Sequence, residues 1–121
     1  VLEGGLDRFV DWAKPAFRGK AALERQRQQG TAKRFVVLTM EPRPWDAPSM
    51  STIWHGDRAV GEATSAAWGF RVGGPVALGM LRTDLAAPGT RLEVEVFGER
   101  VPATVQGDGP LWDPDNARLR A

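Results

Sequence analysis

Short apolar runs alternate with clusters of Gly, Pro and Asp through most of the chain, and their spacing predicts β-strands over 34–40, 52–54, 59–66, 76–82, 92–97 and 100–105. These runs are rich in Val, Leu, Ile, Thr and Phe, side chains that pack well on a pleated, half-buried surface. Leu92, Val94 and Val96 alternate with Glu93, Glu95 and, loosely, Phe97, the pattern of a strand with one buried face and one wet face. His55-Gly56-Asp57-Arg58 and Phe97-Gly98-Glu99 stand where tight hairpin turns belong. Six strands of this kind leave no exposed edges if they close on themselves, so a small antiparallel β-barrel is expected.

The only helical pattern comes earlier. KAALERQRQQ, residues 20–29, consists of strong helix formers between Gly19 and Gly30, and Gly30 suits the left-handed position past a helix end. Ala22 and Leu23 are expected to face inward. Leu6, Phe9, Val10 and Trp12 form too short a set to choose between a helical turn and a strand, and Pro15 ends whatever forms there. The predicted fold class is therefore mainly β, a six-stranded antiparallel barrel preceded by a short helical segment. No internal repeat or low-complexity tract interrupts it.

Composition narrows the function classes. The chain has 121 residues, a length that suits one domain with a sizeable core. Its 16 basic and 15 acidic residues leave a formal charge of +1, which gives no field for nucleic acid. With no cysteine there is no disulfide, thiol nucleophile or thiolate metal site, a composition compatible with a reducing cytoplasm. No apolar run approaches the ~20 residues of a membrane span, and no signal-peptide plan opens the chain. A soluble cytoplasmic domain with no membrane partner is expected.

No catalytic apparatus is visible in the residues. GFRVGGP, residues 69–75, has the glycines of a phosphate loop but ends in Pro75 and is followed by an apolar run rather than a helix start, so it reads as a turn between two strands. His55 is the only histidine, which removes paired-His metal sites. Ser49, Ser51 and Ser65 have no histidine spaced for a triad. Most aspartates adjoin Pro, Gly or Trp, as turn and capping residues do. Of the five tryptophans, Trp54 and Trp68 read as core, Trp45 and Trp112 as interface residues, and Trp12 stays unassigned.

Several segments, in order, resemble the C-terminal part of the aminomethyltransferase family, which includes glycine-cleavage T-proteins and the folate-binding halves of sarcosine and dimethylglycine dehydrogenases. They are LEGGL (2–6), FRGKAALERQ (17–26), KRFVVL (33–38), VGEATSAAWGFRVGGPVALGMLR (60–82) and PGTRLEVEV (88–96). RPWDAP and the ending LWDPDNARLRA look closer to the dehydrogenase-associated branch. The resemblance implies a six-stranded Greek-key barrel over 33–121, preceded by the tail of a folate-binding domain over 1–32. In that light the opening VLEGGLDRFVDW reads as the inside of a longer protein.

The family's folate-binding glutamate stands at Glu3, where its two acceptor oxygens suit the paired N–H donors of the amino-pyrimidine edge. A folate-contacting arginine is implied at Arg34, with Lys33 as its neighbour, and a further contact at Arg118 or Arg120. The family's catalytic aspartate belongs to the upstream region. The resemblance thus implies no catalytic residue, no metal and no turnover in this chain alone. It implies a parent that transfers a one-carbon unit from a small amine to tetrahydrofolate, with FAD possible in an upstream domain. The rival reading is a non-catalytic docking barrel in a paralogue without folate chemistry.

Overall fold

The computed structural model describes residues 1–118 and residue 120. Its strands are β1 (Lys33–Met40), β2 (Ser51–His55), β3 (Arg58–Gly69), β4 (Gly74–Arg82), β5 (Arg91–Val96) and β6 (Glu99–Val105). They form a closed antiparallel barrel in the order β1-β4-β3-β2-β5-β6, with β6 pairing back onto β1. Strands β2, β3 and β4 are a meander, and β1 lies beside β4, which is Greek-key order. All six predicted strands are present, and the elements differ from expectation only at their ends.

Those ends have local causes. Strand β5 stops at Val96, one residue early, because Phe97 (φ 50°) and Gly98 (φ 84°) both take the positive φ of a hairpin turn twisted to suit its flanking strands. Strand β3 runs on to Gly69, because Ala66, Ala67, Trp68 and Gly69 pair with Ala77, Val76, Pro75 and Gly74 of β4. Residues 66–69 have β4 on one side, whereas β2 pairs only with 58–63. The 69–74 turn closes through Val72 N–H and Gly73 N–H, both donating to Gly69 O, and no helix follows it.

The core is the inward face of the barrel. Leu38, Ile53, Ala63, Ala77, Leu81, Val94 and Val101 are fully buried, and no polar side chain is buried among the described residues. Burying each large apolar side chain contributes about 1.5–3 kcal/mol relative to leaving it exposed. Strands β3 and β4 approach so closely that a Cβ on Gly61 would lie 2.3 Å from Met80 O, and one on Gly79 would lie 2.8 Å from Glu62 O. A register shift between Ala63 and Ser65 leaves Thr64 as the extra residue of a bulge, and its hydroxyl donates to Leu78 O at 3.1 Å.

The helix α1 (Lys20–Gln29) lies where the sequence places it, yet none of its residues is buried. Ala22 is exposed and Leu23 half-buried, so the inward-facing expectation fails for Ala22. The undecided stretch before it contains a single 3-10 turn, Asp7–Phe9, with Phe9 left 71% exposed. Trp68, expected in the core, is 41% exposed, because it stands on the part of β3 that has β4 as its only neighbouring strand. Trp54 is half-buried on the barrel wall, where its indole N–H donates to Glu95 Oε2 at 2.8 Å and Arg100 covers its ring at 4.3 Å. Trp45 meets Phe97 edge-on at 6.3 Å. No helix among the described residues is long and apolar enough to cross a membrane.

Candidate functional site

The N-terminal LEGGL segment is tied to the barrel through its backbone. Gly5, at φ 67°, turns the chain so that Gly5 N–H donates to Leu2 O at 3.1 Å and Leu6 N–H to Val1 O at 3.2 Å. Phe35 N–H on β1 then donates to Glu3 O at 2.6 Å. A Cβ on Gly5 would already lie 4.0 Å from the Phe35 ring, so the turn sits directly on β1. Glu3 is half-buried there, and its carboxylate makes no hydrogen bond among the described residues.

Arg34, the residue before Phe35, stands between two grooves. One, of about 290 Å³, is walled by Leu2, Trp12, Gln26, Arg27 and Thr31. The other, of about 550 Å³, is walled by Gly4, Gly5, Arg8, Phe35, Gln106 and the 107–110 segment. Both volumes fall in or near the range in which small-molecule sites occur, about 300–1,000 Å³. Arg27 stacks over Trp12 at 4.9 Å and closes the outer wall of the smaller groove. The floor is fixed by Thr83 Oγ1 donating to Thr31 O at 2.6 Å and Thr83 N–H donating to Ala32 O at 3.1 Å.

Across the larger groove, Arg34 Nη2 donates to Asp108 Oδ2 at 2.6 Å. Asp108 is delivered by the chain that leaves β6, where Gln106 N–H donates to Val37 O at 2.8 Å and its side-chain amide donates to Thr39 Oγ1 at 2.7 Å. A third, apolar groove of about 500 Å³ lies at the free arm of β3 and β4, walled by Trp68, Val72, Leu78, Leu111 and Trp112. Arg71 covers the Trp112 ring at 5.0 Å.

The structure thus brings Glu3 and Arg34 to one stretch of β1. Lys33 is exposed at the start of that strand. Arg118 lies in the C-terminal tail, where its backbone N–H donates to the Asp113 carboxylate, and neither Arg118 nor Arg120 lines any of the three grooves. Sequence reasoning missed Asp108, Trp12 and Arg27 as groove residues. Asp108 looks like any turn aspartate between glycines, and its partner is 74 positions away, so no local signal marks the pair. No group of His, Cys, Asp or Glu that could hold a metal is found among the described residues.

Comparison with known proteins agrees with this architecture. The chain is 32% identical over 121 residues to mitochondrial dimethylglycine dehydrogenase of Rattus norvegicus, covering 98% of this chain and 14% of that protein. It is 40% identical over 104 residues to an aminomethyltransferase of Thermosynechococcus vestitus, covering 86% of this chain and 28% of that protein. The crystal structure of the glycine cleavage system aminomethyltransferase T from Bartonella henselae superposes over 93% of this chain and 32% of its own, with a TM-score of 0.82 and 22% identity, a likeness of fold. The chain therefore corresponds to a minor part of the length of these relatives. Residues 33–113, which contain the whole closed barrel, match the glycine cleavage T-protein C-terminal barrel domain, and the chain belongs to that family.

Proposed function

We propose that this chain is the C-terminal part of a tetrahydrofolate-dependent aminomethyltransferase-like protein and that it helps to bind folate during one-carbon transfer from a small amine. In this reading residues 1–32 are the tail of the folate-binding domain and residues 33–121 the terminal barrel. The observation that supports it is the docking of LEGGL on β1 by the Phe35 N–H to Glu3 O bond, which brings the backbone of half-buried Glu3 to the strand residue next to Arg34.

The residues fit the ligand. Glu3 offers two acceptor oxygens to the paired N–H donors of the amino-pyrimidine edge, and the Arg34 guanidinium offers donors to carboxylate or carbonyl oxygens. Arg118 or Arg120 would supply a further contact from the C-terminal tail by position alone, since neither lines a groove. When bound, tetrahydrofolate supplies the nucleophilic nitrogen that takes up the one-carbon unit. The work of this chain is to orient that ligand and exclude water from one side, because a free iminium would otherwise be hydrolysed to formaldehyde. The proton-transfer residue and any FAD belong to upstream regions of the parent, so the barrel alone is not expected to turn over. The cysteine-free composition suits a cytoplasmic location.

The test is Glu3→Gln in the full-length parent. The substitution keeps the size but replaces an acceptor by a donor facing the donors of the ligand. Tetrahydrofolate affinity, measured by calorimetry at one salt concentration, is expected to fall by about 2–3 kcal/mol with little change in stability. Equal affinity in both proteins would remove Glu3 from the site. A second reading, a docking barrel without folate chemistry, draws on the apolar groove at Trp68, Val72 and Trp112. Absence of tetrahydrofolate binding in the wild-type parent would favour it.

A further inference from the structure

We propose that Asp108 sets how strongly Arg34 accepts an anionic ligand, by occupying with its own carboxylate the guanidinium edge that a ligand carboxylate would take. The inference rests on the reading of Arg34 as a ligand-binding residue and goes beyond it by assigning a competitor. Three observations carry it. The contact is a single short hydrogen bond, Nη2 to Oδ2 at 2.6 Å, so it satisfies one edge of the guanidinium. The remaining Arg34 N–H groups have no partner among the described residues, although the side chain lines both grooves. Asp108 has no other side-chain partner among the described residues and is 82% exposed, so nothing else holds it in place.

Its backbone setting allows the exchange. Asp108 lies between Gly107 and Gly109 and just beyond Gln106, the last residue bonded to β1. A carboxylate on such a hinge swings clear without disturbing β6. Exposed ion pairs contribute little to stability, so a ligand that presents its own carboxylate replaces the contact at small cost. The charged groove lining is otherwise Arg8, Arg27 and Arg34 against Asp7 alone, and Asp108 offsets part of that positive excess. The contact thus lowers the positive charge that the empty site presents to small anions, while a larger ligand with further contacts still displaces the aspartate.

The experiment is a double-mutant cycle in the full-length parent, with Asp108→Asn, Arg34→Gln and the pair, using tetrahydrofolate as the probe and calorimetry at low and at high salt. Asp108→Asn is expected to tighten binding two- to about fivefold at low salt, the range an exposed ion pair allows, and less at high salt. In the Arg34→Gln background the gain is expected to vanish. Thermal melting of each variant checks that the fold is unchanged. If Arg34→Gln weakens binding while Asp108→Asn leaves it unchanged or weaker, the competition is overturned and the folate reading stands. If Arg34→Gln has no effect, Arg34 leaves the site and the inference falls with it, whereas the Glu3→Gln result judges the folate reading separately.

Discussion

Among the described residues, the 14 buried core hydrophobics lie between positions 36 and 105, in or beside the barrel, while the first 32 residues bury none, although they include Leu2, Phe9, Trp12, Phe17 and Leu23. The two regions use similar residue types and end in different states. In the barrel, period-2 alternation meets a closed surface, so every inward side chain loses its water. In the N-terminal region the helix lies outside that surface, and the LEGGL turn is held mainly by backbone hydrogen bonds to itself and to β1. The difference teaches that stability is concentrated in the barrel, while the LEGGL turn, which carries Glu3, belongs to a region with no core of its own.

The sharpest way to break this comparison is to remove barrel packing. Ile53→Ala deletes a fully buried side chain at the β2 wall, and a loss of about 2–5 kcal/mol is expected in denaturant unfolding. A loss below 1 kcal/mol would mean that the barrel does not depend on its interior. Gly61→Ala comes next. Its new Cβ would lie 2.3 Å from Met80 O, a backbone atom, so β3 and β4 must separate, with an expected loss of about 1–3 kcal/mol by the same measurement.

Deleting residues 1–30 is expected to do less, because it removes no buried side chain and only the Phe35 N–H to Glu3 O bond among the links to β1. The remaining barrel should melt cooperatively with a stability lowered by about 1 kcal/mol, seen by circular dichroism. Collapse of that transition would show that the N-terminal region belongs to the folding unit after all.

The smallest effect concerns the rim where β4 leaves the barrel. Arg82 grips Asp84 with two hydrogen bonds, Nε to Oδ1 at 3.0 Å and Nη2 to Oδ2 at 2.8 Å, and this holds the Asp84 carboxyl below its ordinary range. A carboxyl lowered in the folded state adds stability above its unfolded value, and that stability is lost as pH falls through the folded value. Wild type is therefore expected to exceed Asp84→Asn slightly in urea midpoint near neutrality, with the gap closing at acid pH. A gap that widened on acidification would reverse the sign and refute the ion pair as its cause.

What the sequence by itself determined is the part governed by local rules. Helix α1 follows from strong helix formers between two glycines, and the six strands follow from alternation and turn residues, each legible within about ten positions. The likeness of LEGGL and KRFVVL to the aminomethyltransferase family was legible as a resemblance of short segments in order. Tertiary structure alone decided that Trp68 stays exposed, since that depends on β2 ending its pairing at Ala63 while β3 continues to Gly69. It alone decided that α1 buries nothing, because a helix with apolar residues still needs a surface that accepts them. It alone joined Arg34 to Asp108 across 74 positions. Local propensity acts over a few residues, whereas which side chains meet across a barrel is set by closure and register, to which every strand contributes at once.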